Sequence, residues 1–155
     1  MATFANLAAA VTQRIKDAQA AAQPLAAAAA AVVLQEDAHD LQTEINKSIG
    51  QIGMLILVGM PHAANLSTGQ SKHLERKVEM NVAIGEHPIL WRKVNPDNSV
   101  RPPSSEAVNI ISEFLNGFQV GGFQKLHVVR EDYIPDGKRQ LYEISLETKS
   151  ITPTS

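Results

Sequence analysis

The chain has no cysteine. Disulfides, thiolate nucleophiles and cysteine-ligated zinc are therefore excluded, and the absence fits a reducing compartment without requiring one. Aromatic residues are sparse at 5%, while alanine is overused near the N-terminus. Charge of one sign is also lacking. The net charge is −2, and only residues 72–101 are locally basic, with six basic against four acidic groups. A dedicated nucleic-acid binder usually carries a strong basic stripe, which is missing. No long hydrophobic run is present: the longest, L25-AAAAAAVVL34, is about half of what a bilayer requires. Residues 1–16 have no basic region ahead of an apolar core and do not read as a secretory signal. They are Ala-rich and acid-free up to Asp17, a composition shared with transit peptides. Asn46 and Asn65 open N-x-S sequons, which read as chance matches without a secretory route.

With 44% apolar and 19% charged residues over 155 positions, the chain is expected to fold as one domain over 1–150, with a flexible tail over 151–155. Phe4, Leu7, Val11, Ile15 and Ala18 recur at helical spacing and predict an Ala-rich N-terminal helix that Pro24 ends or kinks. The alanines over 26–31 fit either a helix or the approach to a strand. Ala30–Gln35 is read as a buried strand within the connection 25–36. Asp37 is the expected cap of a helix marked by Leu41, Ile45, Ile49 and Ile52. Met54–Val58 reads as a buried central strand, and His62–Ser71 as a polar loop. Val78, Met80, Val82 and Ile84 alternate with Lys77, Glu79, Asn81 and Ala83, which predicts a strand with one core face and one wet face. Gly85 is expected to make a bulge or bend, and Pro88 to stop regular pairing. A turn follows at Asn95–Asn98, then an extended Arg101–Pro103. Ser104 or Ser105 is then expected to cap a helix carrying Val108, Ile110, Ile111, Phe114, Leu115 and Phe118. Leu126–Thr148 reads as a long hairpin, with Leu126, Val128 and Arg130 on one side of its first arm and Ile134–Lys138 as its turn. On its return arm Tyr142, Ile144 and Leu146 point inward, and Glu143, Ser145 and Glu147 outward. The fold class is α+β: a mostly antiparallel sheet with helices packed on one face and a long C-terminal β-hairpin.

Motifs of catalysis and cofactor binding are incomplete. Gly59 to Lys72 follows an apolar strand as a phosphate loop would, but it ends Gly-Gln-Ser-Lys and Pro61 removes a backbone donor. His39, His62, His73, His87 and His127 lack the spacing of a helical metal site. No G-x-S-x-G occurs; Lys47-Ser48-Ile49-Gly50 lacks the first glycine. Glu131-Asp132 lies beside a hairpin turn, where solvated charge normally belongs. No catalytic residue, metal or cofactor is therefore assigned.

One segment concentrates functional residue types: Glu86-His-Pro-Ile-Leu-Trp-Arg92, followed by Lys93. On a strand Glu86 and His87 point to opposite faces, which separates an acid from a base. The favoured reading is an arm that leaves the sheet at Gly85, is stiffened by Pro88, and presents Ile89, Leu90 and Trp91 between cations to a neighbouring subunit. Trp and Arg are enriched at interface hot spots. Trp91 folded over the core, or a polar active site near Glu86 and Arg92, are the alternatives. The expected interface is thus Glu86, Pro88, Ile89, Leu90, Trp91, Arg92 and Lys93, with Lys77, Glu79 and Asn81 on the wet strand face as a lumen or interface surface.

Over roughly residues 31–149 the order of elements resembles the phage tail terminator and tail-completion proteins of the head–tail neck. The resemblance rests on the strands Gly53–Met60 and Lys77–Ile84, the helix Ser105–Phe118 and the hairpin Leu126–Thr148. In that family the second strand ends in a Glu-Asn-Pro-x-x-Asn-Arg-like stretch. Glu86, Pro88 and Arg92 match it, whereas His87 and Trp91 depart from it. The resemblance implies a structural virion protein, not an enzyme, assembled in the host cytoplasm. It implies a homo-hexameric ring that caps the tail tube, meets the tail tube protein and the head-completion or connector protein, and touches DNA only in passing through its lumen. No membrane is involved. The alternative is a small cytosolic oligomeric α+β adaptor or binding module without catalysis.

Overall fold

The structure is a computed structural model that describes residues 3–20, 31–37, 41–51, 53–66, 73–94, 103–137 and 139–153. Pro24, the alanines 26–30, Ile52, the loop 67–71, the turn 95–98 and residues 101–102 lie outside them. In chain order come α1 (Phe4–Ala20), β1 (Ala31–Leu34), a 3-10 turn (Gln35–Asp37), α2 (Leu41–Gln51), β2 (Met54–Val58) and β3 (His62–Leu66). After these follow β4 (His73–Glu86), α3 (Pro88–Val94), α4 (Ser104–Leu115), β5 (His127–Asp136) and β6 (Arg139–Pro153). The fold is α+β, with a six-stranded sheet ordered β1-β2-β4-β6-β5. Every pairing is antiparallel except β1 with β2.

β4 is the spine. One edge pairs along its whole length with β6, from His73↔Pro153 to Glu86↔Gln140. The other edge is shared: β2 pairs with Val82–Glu86 and β3 with Arg76–Glu79. Between them Gly59 N–H donates to Asn81 O (2.9 Å), so β2 and β3 act as one interrupted strand. Alternation then sorts the residues. Val78, Met80, Val82 and Ile84 meet Ile144 and Leu146 of β6 and Met54, Ile56 and Val58 of β2 in the core. Leu7, Val11 and Ile15 of α1 and Val108, Ile111 and Leu115 of α4 cover that face. Each such side chain contributes about 1.5–3 kcal/mol by leaving water. Arg14 ties the two helices together: its Nε donates to Phe114 O at 3.2 Å, and its guanidinium lies 4.9 Å from the Phe118 ring centre. α2 reaches the opposite face at one end, where Ile49 lies over Gly85.

Several local expectations are corrected. β3 occupies His62–Leu66, where a polar loop was expected; an edge strand with one wet face tolerates such residues. β4 continues through Gly85 in regular pairing, so that glycine makes no bulge. Asp37 closes the 3-10 turn, and the expected start of α2 just after it lies outside the described residues. The cap of α4 is Pro103, with Ser104 already inside the helix. A bulge between Val128 and Arg130 sends Val128 to the core face beside Leu146 and Arg130 to the other face beside Ser145. β6 runs to Pro153, into the segment expected to be a tail.

The largest correction concerns the arm. Residues Pro88–Val94 form a helix. Proline fixes φ near the helical value and lacks an N–H that the first turn would leave unbonded, so it suits the first helical position. His87 provides the cap: its Nδ1 accepts Leu90 N–H at 3.2 Å, and its carbonyl accepts Trp91 N–H at 2.9 Å. Helical curvature turns Trp91 inward, where it is 1% exposed and part of the core. It is therefore core cover and does not project as a partner anchor. Gly53, at φ +92, lets α3 approach: a Cβ there would sit 2.7 Å from Trp91 N. Trp91→Ala should cost about 3–5 kcal/mol of stability. Urea denaturation followed by circular dichroism measures this, and an unchanged midpoint would contradict the buried placement.

Candidate interface surfaces

The ten residues singled out by sequence separate into three places. Glu86 and Trp91 are buried, Pro88 and Leu90 are half-buried, and Ile89, Arg92 and Lys93 form the exposed side of α3. Lys77, Glu79 and Asn81 lie on the face of β4 opposite the core.

Glu86 sits on the core face at the end of β4 and is 2% exposed. Its Oε1 accepts the backbone N–H of Ser104, the first residue of α4. Pro103 offers no side-chain cap of its own. A carboxylate from β4 therefore takes the place that Ser, Thr or Asp normally fills, and its negative charge faces the positive end of the helix dipole. Ser104 Oγ donates to Gln140 Oε1 (3.3 Å), and Gln140 stands opposite Glu86 in the β4–β6 register. Glu86 thus joins sheet to helix, and the alternative of a polar active site around Glu86 and Arg92 loses its acid to this role.

The open face spans β3, β4, β6 and β5. Lys77, Glu79, Asn81 and Ala83 stand opposite Lys149, Glu147, Ser145 and Glu143. Two of these cross-strand pairs, Lys77↔Lys149 and Glu79↔Glu147, bring like charges together, which is unfavourable by tenths of a kcal/mol. Lys77 Nζ relieves the acidic pair, lying 3.1 Å from Glu147 and 3.8 Å from Glu79. His62 Nε2 of β3 is 3.4 Å from the other Glu79 oxygen, and Arg130 Nε is 2.7 Å from Asp132. At this exposure such pairs are each worth at most about 1 kcal/mol.

A depression of about 300 Å³ on this face is lined by His62, Glu79, Asn81, Arg130, Glu143 and Ser145, among others. Ser145 shares it with the His62–Glu79 pair, but no hydrogen bond links Ser145 to His62, so the linkage of a nucleophile–base–acid relay is not formed. Among the described residues no group of three or more His, Asp or Glu is placed to hold a metal ion. No described helix is long and apolar enough to cross a membrane.

Two features were missed in the sequence. The first is the exposed apolar set Val129, Tyr133 and Ile134 on the edge strand β5. Its alternation is hidden by the bulge beside Val129. The second is the part of the open face given by His62 and Arg130. The outward alternation of Glu143, Ser145 and Glu147 had already signalled the rest. No protein-family model matches this chain, and no curated protein does either.

Replacing the capping carboxylate provides a direct check on its role. Glu86→Ala should destabilise the fold by about 1–3 kcal/mol, since it strands the Ser104 N–H inside the protein. Glu86→Gln keeps an acceptor and should lose less. Guanidinium melts of the three proteins measure the order; equal midpoints would mean that the contact carries no stability.

Proposed function

We propose that this chain is a non-catalytic structural subunit of a phage neck, a tail terminator that assembles as a homo-hexameric ring, caps the tail tube and meets the head connector. The observation that carries the reading is the open face. Among the described residues the large helical cover, α1 and α4, lies on the other side of the sheet and α2 covers this side only near Gly85, leaving a polar, mixed-charge surface across four strands. Like-charge pairs across β4 and β6 are a local cost to the fold, and such costs concentrate where a surface serves something other than folding. Lining a ring with this face suits the passage of DNA. Glu79, Glu143 and Glu147 outnumber the cations around the depression, and phosphate binds strongly only where basic groups gather. The exposed apolar edge of β5 supplies surface for contacts between subunits. A ring also needs heterologous contacts that close, which an asymmetric domain with different edges can make.

Size-exclusion chromatography with light scattering tests the reading, with the protein alone and with tail tubes. The expected particle has six protomer masses of 16.8 kDa each, in at least one of the two conditions. A monomer in both removes the ring.

A further inference from the structure

We infer that the exposed side of α3 docks into the groove between α4 and β5 of a second copy of this chain, and that this head-to-tail contact is the one that closes the assembly. The inference rests on the ring reading for its partner and adds the two surfaces that meet.

The donor surface is small and defined. Ile89 is the most exposed large apolar residue among those described, at 78%. Arg92 and Lys93 follow it by three and four positions, so all three share one side of α3. Neither cation has an ion-pair partner among the described residues, and Trp91 anchors the opposite side of the helix in the core.

The acceptor surface is a shallow groove of about 640 Å³ lined by Asn109, Ser112 and Glu113 of α4 and its C-cap Asn116, with Val128 and Glu131 of β5. Asn109, Ser112 and Glu113 follow helical spacing and form one stripe. Asn116 Oδ1 accepts Val128 N–H at 3.0 Å and fixes β5 against the helix. Glu113 and Glu131 are exposed and have no cationic partner among the described residues. Ser112 is only 5% exposed, and its Oγ has no hydrogen-bond partner among the described residues.

The two surfaces complement each other: two cations and an isoleucine face two carboxylates and a valine. Arg92 and Lys93 supply only donors, while the carboxylates supply only acceptors. They also lie at different ends of the strand order. α3 packs against Gly53 at the start of β2, whereas the groove borders β5 on the far side of β4 and β6. Among the described residues no ion pair joins them within one chain. Between chains the contact is heterologous and repeats around a ring.

Charge reversal of each surface, followed by mixing, provides the test. It is read by light scattering in the condition where the wild type assembles, with circular dichroism confirming that each variant is folded. Arg92→Glu with Lys93→Glu should weaken assembly by roughly tenfold or more, and so should Glu113→Lys with Glu131→Lys. Mixed in equal amounts, the two variants should assemble again, because every contact in an alternating ring is then between opposite charges. Assembly of either variant alone at wild-type concentration, or failure of the mixture to recover, overturns this contact and leaves the ring reading standing. A wild type that never associates overturns both.

Discussion

The contact between the Glu86 carboxylate and the first turn of α4 is the constraint on which the arrangement depends. The sheet and its helical cover are otherwise joined by apolar packing, which has no direction and tolerates sliding. A carboxylate bonded to one particular N–H does not. It sets where α4 begins relative to the end of β4, and the Ser104–Gln140 contact sets the same point relative to β6. With that end fixed, helical spacing carries Val108, Ile111 and Leu115 onto the sheet and leaves Asn109, Glu113 and Asn116 facing outward. The outer stripe of α4 is in this sense a consequence of a residue on β4.

The same junction explains why α3 is a helix. β4 must end at Glu86 for its side chain to reach Ser104, and the chain must then turn. His87 and Pro88 make that turn by capping and opening a helix. Gly53 leaves room for the helix backbone beside β2, and His87 N–H closes the junction by donating to Gly53 O at 2.8 Å. Acid, imidazole and proline, adjacent in sequence, thus perform three separate structural tasks within three residues.

Much of the fold was legible because alternation and helical spacing report burial directly. β4 shows this best: Val78 to Ile84 faced the core as their period required, and Lys77, Glu79 and Asn81 faced outward. The return arm of the hairpin behaved likewise. Legibility failed where one residue type supports two geometries. Proline stops a strand and also begins a helix, so Pro88 was compatible with an arm and with α3; only the position of Trp91 in three dimensions separates the two. Ser104 looked like a cap because serine prefers that place, but the acceptor came from Glu86, eighteen residues earlier, which local preference cannot see. The bulge in β5 shifted the phase of Val129 and Arg130 without any glycine to mark it. β3 was hidden because an edge strand does not need an apolar run.

The interface expectation assumed an extended geometry after Pro88, and the helix α3 replaces it. An extended arm would have placed Trp91 and Arg92 on opposite sides of one exposed strand, both available to a neighbour. A helix divides the segment by angle. Leu90 and Trp91 turn toward the protein, while Ile89, Arg92 and Lys93 turn away from it. A helix held by a buried indole and a capped first turn presents its cations from a fixed backbone, and a surface of that kind has less freedom to lose in any contact than an extended arm has. It also separates the consequences of change within seven residues: Trp91 is buried in the core, so its substitution acts on folding, whereas Ile89, Arg92 and Lys93 are exposed and can be changed without opening the core.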